Sequence, residues 1–535
     1  MTVLLTRKSV VQAAIETIYK QPASVGVNDG LLVNNPTFSI RPNVLERNFV
    51  RNDLSPMPII IGRKIATMEF ETELRGNGLE NSGLLSDAPM IARLFQGCGY
   101  AINGYRSQTT IGPFAVGDEA DSVVWAVGSG AKAAQTFTST ANFADGDTVT
   151  IDSVVYRMKT AIAAVNDVLI GASASVSLAN IVLAAMGATG AGLNYYAGTS
   201  TVSADVTVTS TTSTLVVTAN ELGTYGNAIG VAYHASGSSA GAWGAATLAT
   251  GTNIASNTDV ICYYLTCTVG GASGTAQIAV SSDVIGEAVA AAVVTSGTPF
   301  VLGTKGLSLT PTFTGSLVVG QKWVVWLMPS GLQLQPLSDN FLSLTLYMHK
   351  DGVLHEMPGS YGTFEITAEA GNFATVKWTF TGSYEAAIDD PNPAPNFETT
   401  LPEQVQLARL WVNQFNAIVQ RFTYNQANDI QIRPDVSSSD GYNGTRITSR
   451  KPEGGIDPEA DLVANNDFWG QFAAATRMPL QMRVGMDVGN TVWMIAPNTQ
   501  YSGMTYQDRN GIMAYDAGLR FARSNGNDEM FFYLM

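Results

Sequence analysis

Between residues 361 and 384 the chain reads YGTFEITAEAGNFATVKWTFTGSY, and apolar and polar side chains alternate along it almost without a slip. Phe364, Ile366 and Ala368 fall on one side of an extended backbone, Glu365, Thr367 and Glu369 on the other. After Gly371-Asn372 the alternation resumes, with Val376, Trp378 and Phe380 opposed to Lys377, Thr379 and Thr381. A period of two on both sides of a glycine-containing turn predicts a β-hairpin with one apolar and one polar face. Just upstream, LSLTLYMHKDGVLHEMPGS predicts another hairpin, turning at Asp351-Gly352. In PMPIIIGRKIATMEFETELRGNG, Thr67, Glu69, Glu71 and Glu73 alternate with Met68, Phe70 and Thr72, again as a strand. TVWMIAPNTQ, MAYDAGLRFAR and DEMFFYLM close the chain as further strand candidates.

Helical spacing is rarer. VVQAAIETIY places Val10, Val11, Ala14, Ile15 and Ile18 at helical intervals and predicts a short amphipathic helix. DAPMIARLFQGCGY predicts another, capped by Asp87, with Pro89 in its first turn and its end at Gly97 or Gly99. EADLVANNDFWGQFAAAT reads as a third, with Asp457 capping and Pro458 at its first position. SLANIVLAAMG, 177–187, reads as a fourth.

At 535 residues the chain is long enough for two to four domains. Texture divides it. Residues 1–108 and 337–535 mix strands, helices and charges. Between them, Ala, Gly, Ser, Thr and Val dominate, and strand-sized runs such as TVTID, VYRMKT, TLVVTA, ICYYLTCTV and KWVVWLMP are separated by turns such as ADGD and SGSSAG. This predicts two small β-sandwich modules, 109–255 and 256–336, inserted into one discontinuous β core. Val154, Tyr156 and Met158 share a face of one strand there. PNPAPNFETTLPE, 391–403, reads as an extended linker or arm.

Composition then narrows the function classes. Hydrophobic residues make up 45% and charged residues only 14%, so the chain is not disordered, and much of its surface is either neutral or covered by an assembly. The net charge of −15, with Lys and Arg scattered singly or in pairs, argues against tight nucleic-acid binding. Cys98, Cys262 and Cys267 are too few for a disulfide framework and fit a reducing compartment. Cys262 and Cys267, five apart, are expected on opposite faces of a strand. No apolar run has the length of a membrane span, and the amphipathic start does not read as a secretory leader.

Catalytic equipment is sparse. His349 and His355 flank the Asp351-Gly352 turn, where polar turn positions are the simpler reading than a metal site helped by Asp351 and Glu356. GSSAG, 237–241, matches a nucleophile-elbow pattern with His234 nearby, but its Ser/Gly/Ala surroundings read as a loop. Asp145, Asp147 and Asp152 resemble a calcium loop faintly and lack its terminal Glu, so an acidic turn is expected. GATGAG follows a helix and no phosphate-binding loop occurs. Asp389-Asp390 lies in the Pro-rich arm, with nothing to hold it for acid–base work. No cofactor and no enzymatic activity are expected.

The order RKIATMEFETELRGNG, APMIARLFQGCGY, SLTLYMHKDGVLHEMPGSYGTFEITAEAGNFATVKWTFTGSY, the Pro-rich arm and GLRFARSNGNDEMFF resembles the tail tube (major tail) proteins of long, non-contractile-tailed bacteriophages. The resemblance covers about 1–108 and 337–535 and rests on order and hairpin texture, with no single diagnostic motif. The insert departs from the minimal family pattern, although its first half looks like a β-module of various phage structural proteins.

The resemblance implies a mainly β fold: a β-barrel or sandwich with a flanking helix, assembled into rings, usually hexameric, that stack into a tube. It also implies a place in the virion tail after synthesis in the bacterial cytoplasm. Implied partners are the protein itself, the tape measure protein, the tail terminator and baseplate proteins, with double-stranded DNA passing without being held. The alternative is another virion or cell-surface β-protein, such as a decoration or adhesin-like chain. On the tube reading, Glu69, Glu71 and Glu73 on one ribbon, or Glu365 and Glu369 on another, line the lumen. Segment 44–62, with Glu46, Arg47, Arg51, Asp53, Ile59, Ile60 and Ile61, is the expected arm to a neighbouring subunit. The inserted modules are expected on the outside.

Overall fold

The chain is mainly β, with several sheets and little helix. The computed structural model describes every residue except 1–4, 6, 48, 51, 53–54, 56, 77, 79–87, 106–108, 117–122, 128–130, 203–204, 223, 253–260, 283, 329–330, 407–408, 413–414, 439–440, 486–488 and 525. Two compact units result: Met1–Tyr105 together with Gly331–Met535, and Arg106–Ser330.

In the first unit, antiparallel strands follow one another in the order Asn34–Leu45, Ile60–Glu73, Thr375–Ser383, Val353–Glu369, Val419–Asn425, Glu453–Pro458, Ile512–Phe521 and Val492–Arg509. Thr375–Ser383 and the second half of Val353–Glu369 show the period of two that an antiparallel sheet with one wet face demands. The first half of Val492–Arg509 also pairs with Met478–Val484 and Phe531–Leu534. Phe531–Leu534 is followed by Gly331–Pro336 and Tyr100–Tyr105. The first half of Val353–Glu369 pairs with Leu344–Lys350, which carries Ser9–Ile15.

The apolar sides enclose one core together with helix Met90–Gly97. Phe95 of that helix is fully buried among aromatic rings, its centroid 4.8 Å from Phe364, 5.0 Å from Trp378 and 5.0 Å from Phe532. The helix ends at Gly97, as its spacing predicts; Asp87 lies outside the described residues, and Pro89 holds the cap position with no side-chain cap. The missing acceptor comes from the Pro-rich stretch, where Glu398 Oε1 accepts the Met90 N–H at 3.1 Å. Arg75 donates to the Thr400 carbonyl, and Asn396 N–H to that of Val27. The stretch is thus a strap on its own unit.

Two helix expectations are corrected. Residues 9–15 form strand Ser9–Ile15, paired residue for residue with Leu344–Lys350. Sheet pairing runs along its whole length on one side and continues at Val11 and Gln12 on the other, which outweighs a helical spacing only two turns long. Asp457 and Pro458 end strand Glu453–Pro458, and the helix there is only Phe468–Ala473, capped by Asp467 accepting from Gly470 N–H.

The module boundaries also shift. Gly331–Pro336 is a core strand with Leu332 and Leu334 fully buried, so the insert ends at 330 rather than 336. Thr109–Val116 and Val124–Val127 do not belong with the first module. They pair with Lys322–Met328 and Leu307–Thr312 of the second. The first module, about 131–252, is therefore nested in sequence inside the second. Ala131 and Thr252 exchange two backbone hydrogen bonds of 3.0 Å where it opens and closes. Each module has its own core, and Tyr156 and Met158 are fully buried in the nested one. Helix Ala174–Ala185 lies in that module, capped by Ser173. Cys262 and Cys267 are both buried, and only Cys267 faces the module core.

Candidate functional surface

The polar face of the first unit's sheet is continuous from strand to strand. Register places Asn34 opposite Glu71, Glu71 opposite Lys377, Lys377 opposite Glu365, and Glu365 opposite Asn425. The row continues through Glu453 and Arg520 to Gln500. Opposed residues project to the same side, so these side chains share one face. Glu69 lies opposite Thr379, Glu73 opposite Thr375, and Glu369 opposite Arg421. Hence Glu69, Glu71, Glu73, Glu365 and Glu369 lie on one face of one sheet. The two ribbons that the sequence left as alternatives are neighbours in it, joined through Thr375–Ser383.

Glu365 accepts from Asn425 Nδ2 at 2.9 Å, and a shallow cleft of about 340 Å³ opens beside it, lined by Thr367, Thr423, Asn425, Glu453 and Ser502. Four cations of the face stand beside carboxylates, whereas Arg41 on the outer strand has Ile65 opposite it. Lys377 stands between Glu71 and Glu365, Arg421 faces Glu369, and Arg520 faces Glu453. The Arg509 guanidinium lies 3.3 Å from Asp457 Oδ2 and 3.6 Å from Glu459 Oε1. Sequence reasoning missed the half of this face on Val419–Asn425 and Glu453–Pro458. The alternation of Phe422 and Tyr424 with Thr423 and Asn425 was the available signal.

Both outer margins of the sheet are open. Asn34–Leu45 pairs only with Ile60–Glu73, and from Gln500 onward Val492–Arg509 pairs only with Ile512–Phe521, among the described residues. Unpaired edges of this kind are templates for another strand.

The predicted arm is the distal end of a two-stranded ribbon. Pairing runs out to Val44 opposite Ile61 and Leu45 opposite Ile60. Val44, Leu45, Ile59, Ile60 and Ile61 are exposed, and so are Phe49, at 62%, and Val50. Glu46 is also exposed, and the Arg47 guanidinium rests 5.2 Å from the Phe49 ring centre. Arg51 and Asp53 lie outside the described residues.

The sparse chemical candidates have structural partners. His349 is buried with Nδ1 3.6 Å from Asp390 Oδ2, and His355 stacks on Phe38 at 4.4 Å. Burial holds both imidazoles below their ordinary value, more strongly than Asp390 raises His349. Ser239 of GSSAG donates to the Gly241 carbonyl at 2.9 Å, and the run leads into strand Gly241–Trp243, where an elbow requires a helix. Asp145 binds Lys159 Nζ at 2.6 Å and Thr160 N–H at 2.8 Å, while Asp147 takes its bonds from surrounding N–H and O–H groups. Among the described residues no three His, Cys, Asp or Glu side chains gather as a metal ion would require. No described helix is long and apolar enough to cross a membrane.

Compared with known proteins, the chain matches no family model and no curated sequence.

Proposed function

We propose that the chain is a structural subunit of a tail tube: copies join edge to edge into rings, the rings stack, and the polar face lines a conduit for double-stranded DNA. The observation that carries this reading is the sheet whose polar side runs unbroken between two open edges. An open edge on each side lets one copy's strand Asn34–Leu45 lie against the next copy's Val492–Arg509. Such contacts are heterologous, and heterologous contacts close into rings when the rotation allows. The exposed apolar ribbon supplies a second contact surface.

The acidic balance fits the same role. A conduit must not hold its cargo, because each uncompensated Lys or Arg gains phosphate contact and counterion-release energy. The expected partners remain further copies and the tape measure, terminator and baseplate proteins that such a tube meets at its ends. The test is negative-stain microscopy of concentrated purified protein with light scattering. Rings or tubes are expected, and a strictly monomeric species under virion-like conditions would count against the reading.

A further inference from the structure

Four cations of the polar face stand beside carboxylates. Lys377 has a glutamate on each side in register, Glu71 on Ile60–Glu73 and Glu365 on Val353–Glu369. Arg421 faces Glu369 and Arg520 faces Glu453. Arg509 has two carboxylates, Asp457 and Glu459, within 4 Å. Directly opposed residues in an antiparallel pair have Cβ atoms about 5 Å apart, well inside the Debye length of about 8 Å at physiological salt. A polyanion approaching this part of the face therefore meets each of these four positive charges already accompanied by a negative one, whereas Arg41, opposite Ile65 on the outer strand, has no carboxylate opposite it in register.

We propose that Glu71, Glu365, Glu369, Glu453, Asp457 and Glu459 mask Lys377, Arg421, Arg520 and Arg509 on the polar face, so that a DNA duplex slides past these strands without binding. The choice of DNA as partner rests on the tube reading; the masking itself rests on the register. Each mask works by denying the cation a phosphate. A Lys or Arg that already has a carboxylate beside it gains little by exchanging that neighbour for a phosphate oxygen. Without the carboxylate, the same side chain gains the phosphate contact and the release of a counterion. The cations themselves keep the wall from becoming a block of like charge, which opposed carboxylates on adjacent strands would destabilise. Lys377 separates Glu71 from Glu365 in this way.

The full chain carrying Glu71→Gln and Glu365→Gln tests the idea, titrated at low salt with a short fluorescent DNA duplex. Wild type is expected to show no measurable binding. The double variant is expected to gain about tenfold or more in apparent affinity, and the gain should fall steeply with added salt. Adding Lys377→Met in the same chain should abolish it. Glu453→Gln, which uncovers Arg520, is an independent arm that leaves the first pair intact. Tight binding by wild type, no gain in either variant, or a gain that survives Lys377→Met overturns masking. A purely structural role for these pairs would move the unfolding midpoint and leave DNA affinity unchanged. Microscopy of the same samples keeps the two ideas apart. Absence of rings from wild type counts against the tube, whereas the titration reads the exposed Glu365 and Lys377 of unassembled chains and still decides masking.

Discussion

At the scale of single residues, each of the three cores carries a buried carboxylate that collects donors from strands and loops around it. In the first unit Glu16 accepts from Ser343 Oγ, Thr345 Oγ1, Gly359 N–H and Lys20 N–H. Glu287 of the second module accepts from Tyr263 Oη and from the Thr304 N–H and hydroxyl. Asp147 of the nested module is fully buried and ties Ala144, Tyr233 and Ser236 together at 2.8–3.0 Å. Burial alone would raise the Asp147 carboxyl, but the Ala144 and Ser236 N–H groups and the Tyr233 and Ser236 hydroxyls together hold it below its ordinary value. Asp147→Ala strands those donors, and a loss of about 2–3 kcal/mol in that module's stability is expected at neutral pH. Because the folded carboxyl is depressed, its contribution is fully present above the unfolded value and fades as pH falls through the folded one. The deficit should therefore shrink in acid, as read by urea unfolding at neutral and acidic pH. An equal deficit at both would mean that shape, and not the ionised carboxylate, matters at this position. From sequence, Asp147 was legible as a turn residue bonded by nearby Ala144, yet Tyr233 and Ser236, which also bond it, lie some ninety positions away, beyond the reach of local spacing.

At the scale of elements, hairpins were legible and isolated helical spacings were not. The Asp351-Gly352 turn has both residues at positive φ, 46° and 101°, and joins Lys350 to Val353 as a two-residue loop. Ser9–Ile15 was misread because Ala-rich apolar runs satisfy both periods, and only its partner strand decides between them. Segment 44–62 was legible as exposed and apolar, but the pairing of Leu45 with Ile60 could not be seen without its long partner strand. That pairing shapes the next prediction. Replacing residues 46–59 by Asn-Gly closes the ribbon in register, since Asn-Gly suits the two-residue turn. Each half-exposed aliphatic side chain that an interface covers contributes on the order of 1 kcal/mol, so the ribbon's cluster supplies several toward assembly. The shortened chain is expected to keep its unfolding midpoint and to lose ring formation, as read by light scattering and microscopy. Normal tubes from it would remove the ribbon from the assembly contacts.

At the scale of the whole molecule, the division into an interrupted core and an insert was legible as a change in composition, but its ends were not. GLQLQP looks like the polar close of a module because Gln333, Gln335 and Pro336 break its apolar pattern. In the fold these Gln positions have specific partners: Gln333 Nε2 donates to Tyr533 Oη at 2.8 Å, and Leu332 and Leu334 point into the core. The nesting of one module inside the other was invisible for the same reason, since Thr109–Val116 finds its partner only at Lys322–Met328. Tyr105 and Gly331 are directly opposed, so the insert leaves and re-enters at the end of one antiparallel pair. A surface junction between adjacent strand ends is where large insertions are tolerated. Two deletions therefore part company. Joining Tyr105 to Gly331 through a short Asn-Gly turn keeps every core strand, and this chain is expected to fold and to form tubes of unchanged axial repeat and smaller outer diameter. Joining Gln108 to Ser338 instead removes Gly331–Pro336 and uncovers Phe531–Leu534 and Tyr100–Tyr105 on that side. Losing two fully buried leucines alone costs several kcal/mol, about 2–5 for each, enough to exhaust an ordinary domain's stability. Circular dichroism and microscopy of the two chains read the difference. If the first chain folds but cannot form tubes, the insert belongs to the tube wall. If the second folds as well as the first, Gly331–Pro336 is not part of the core.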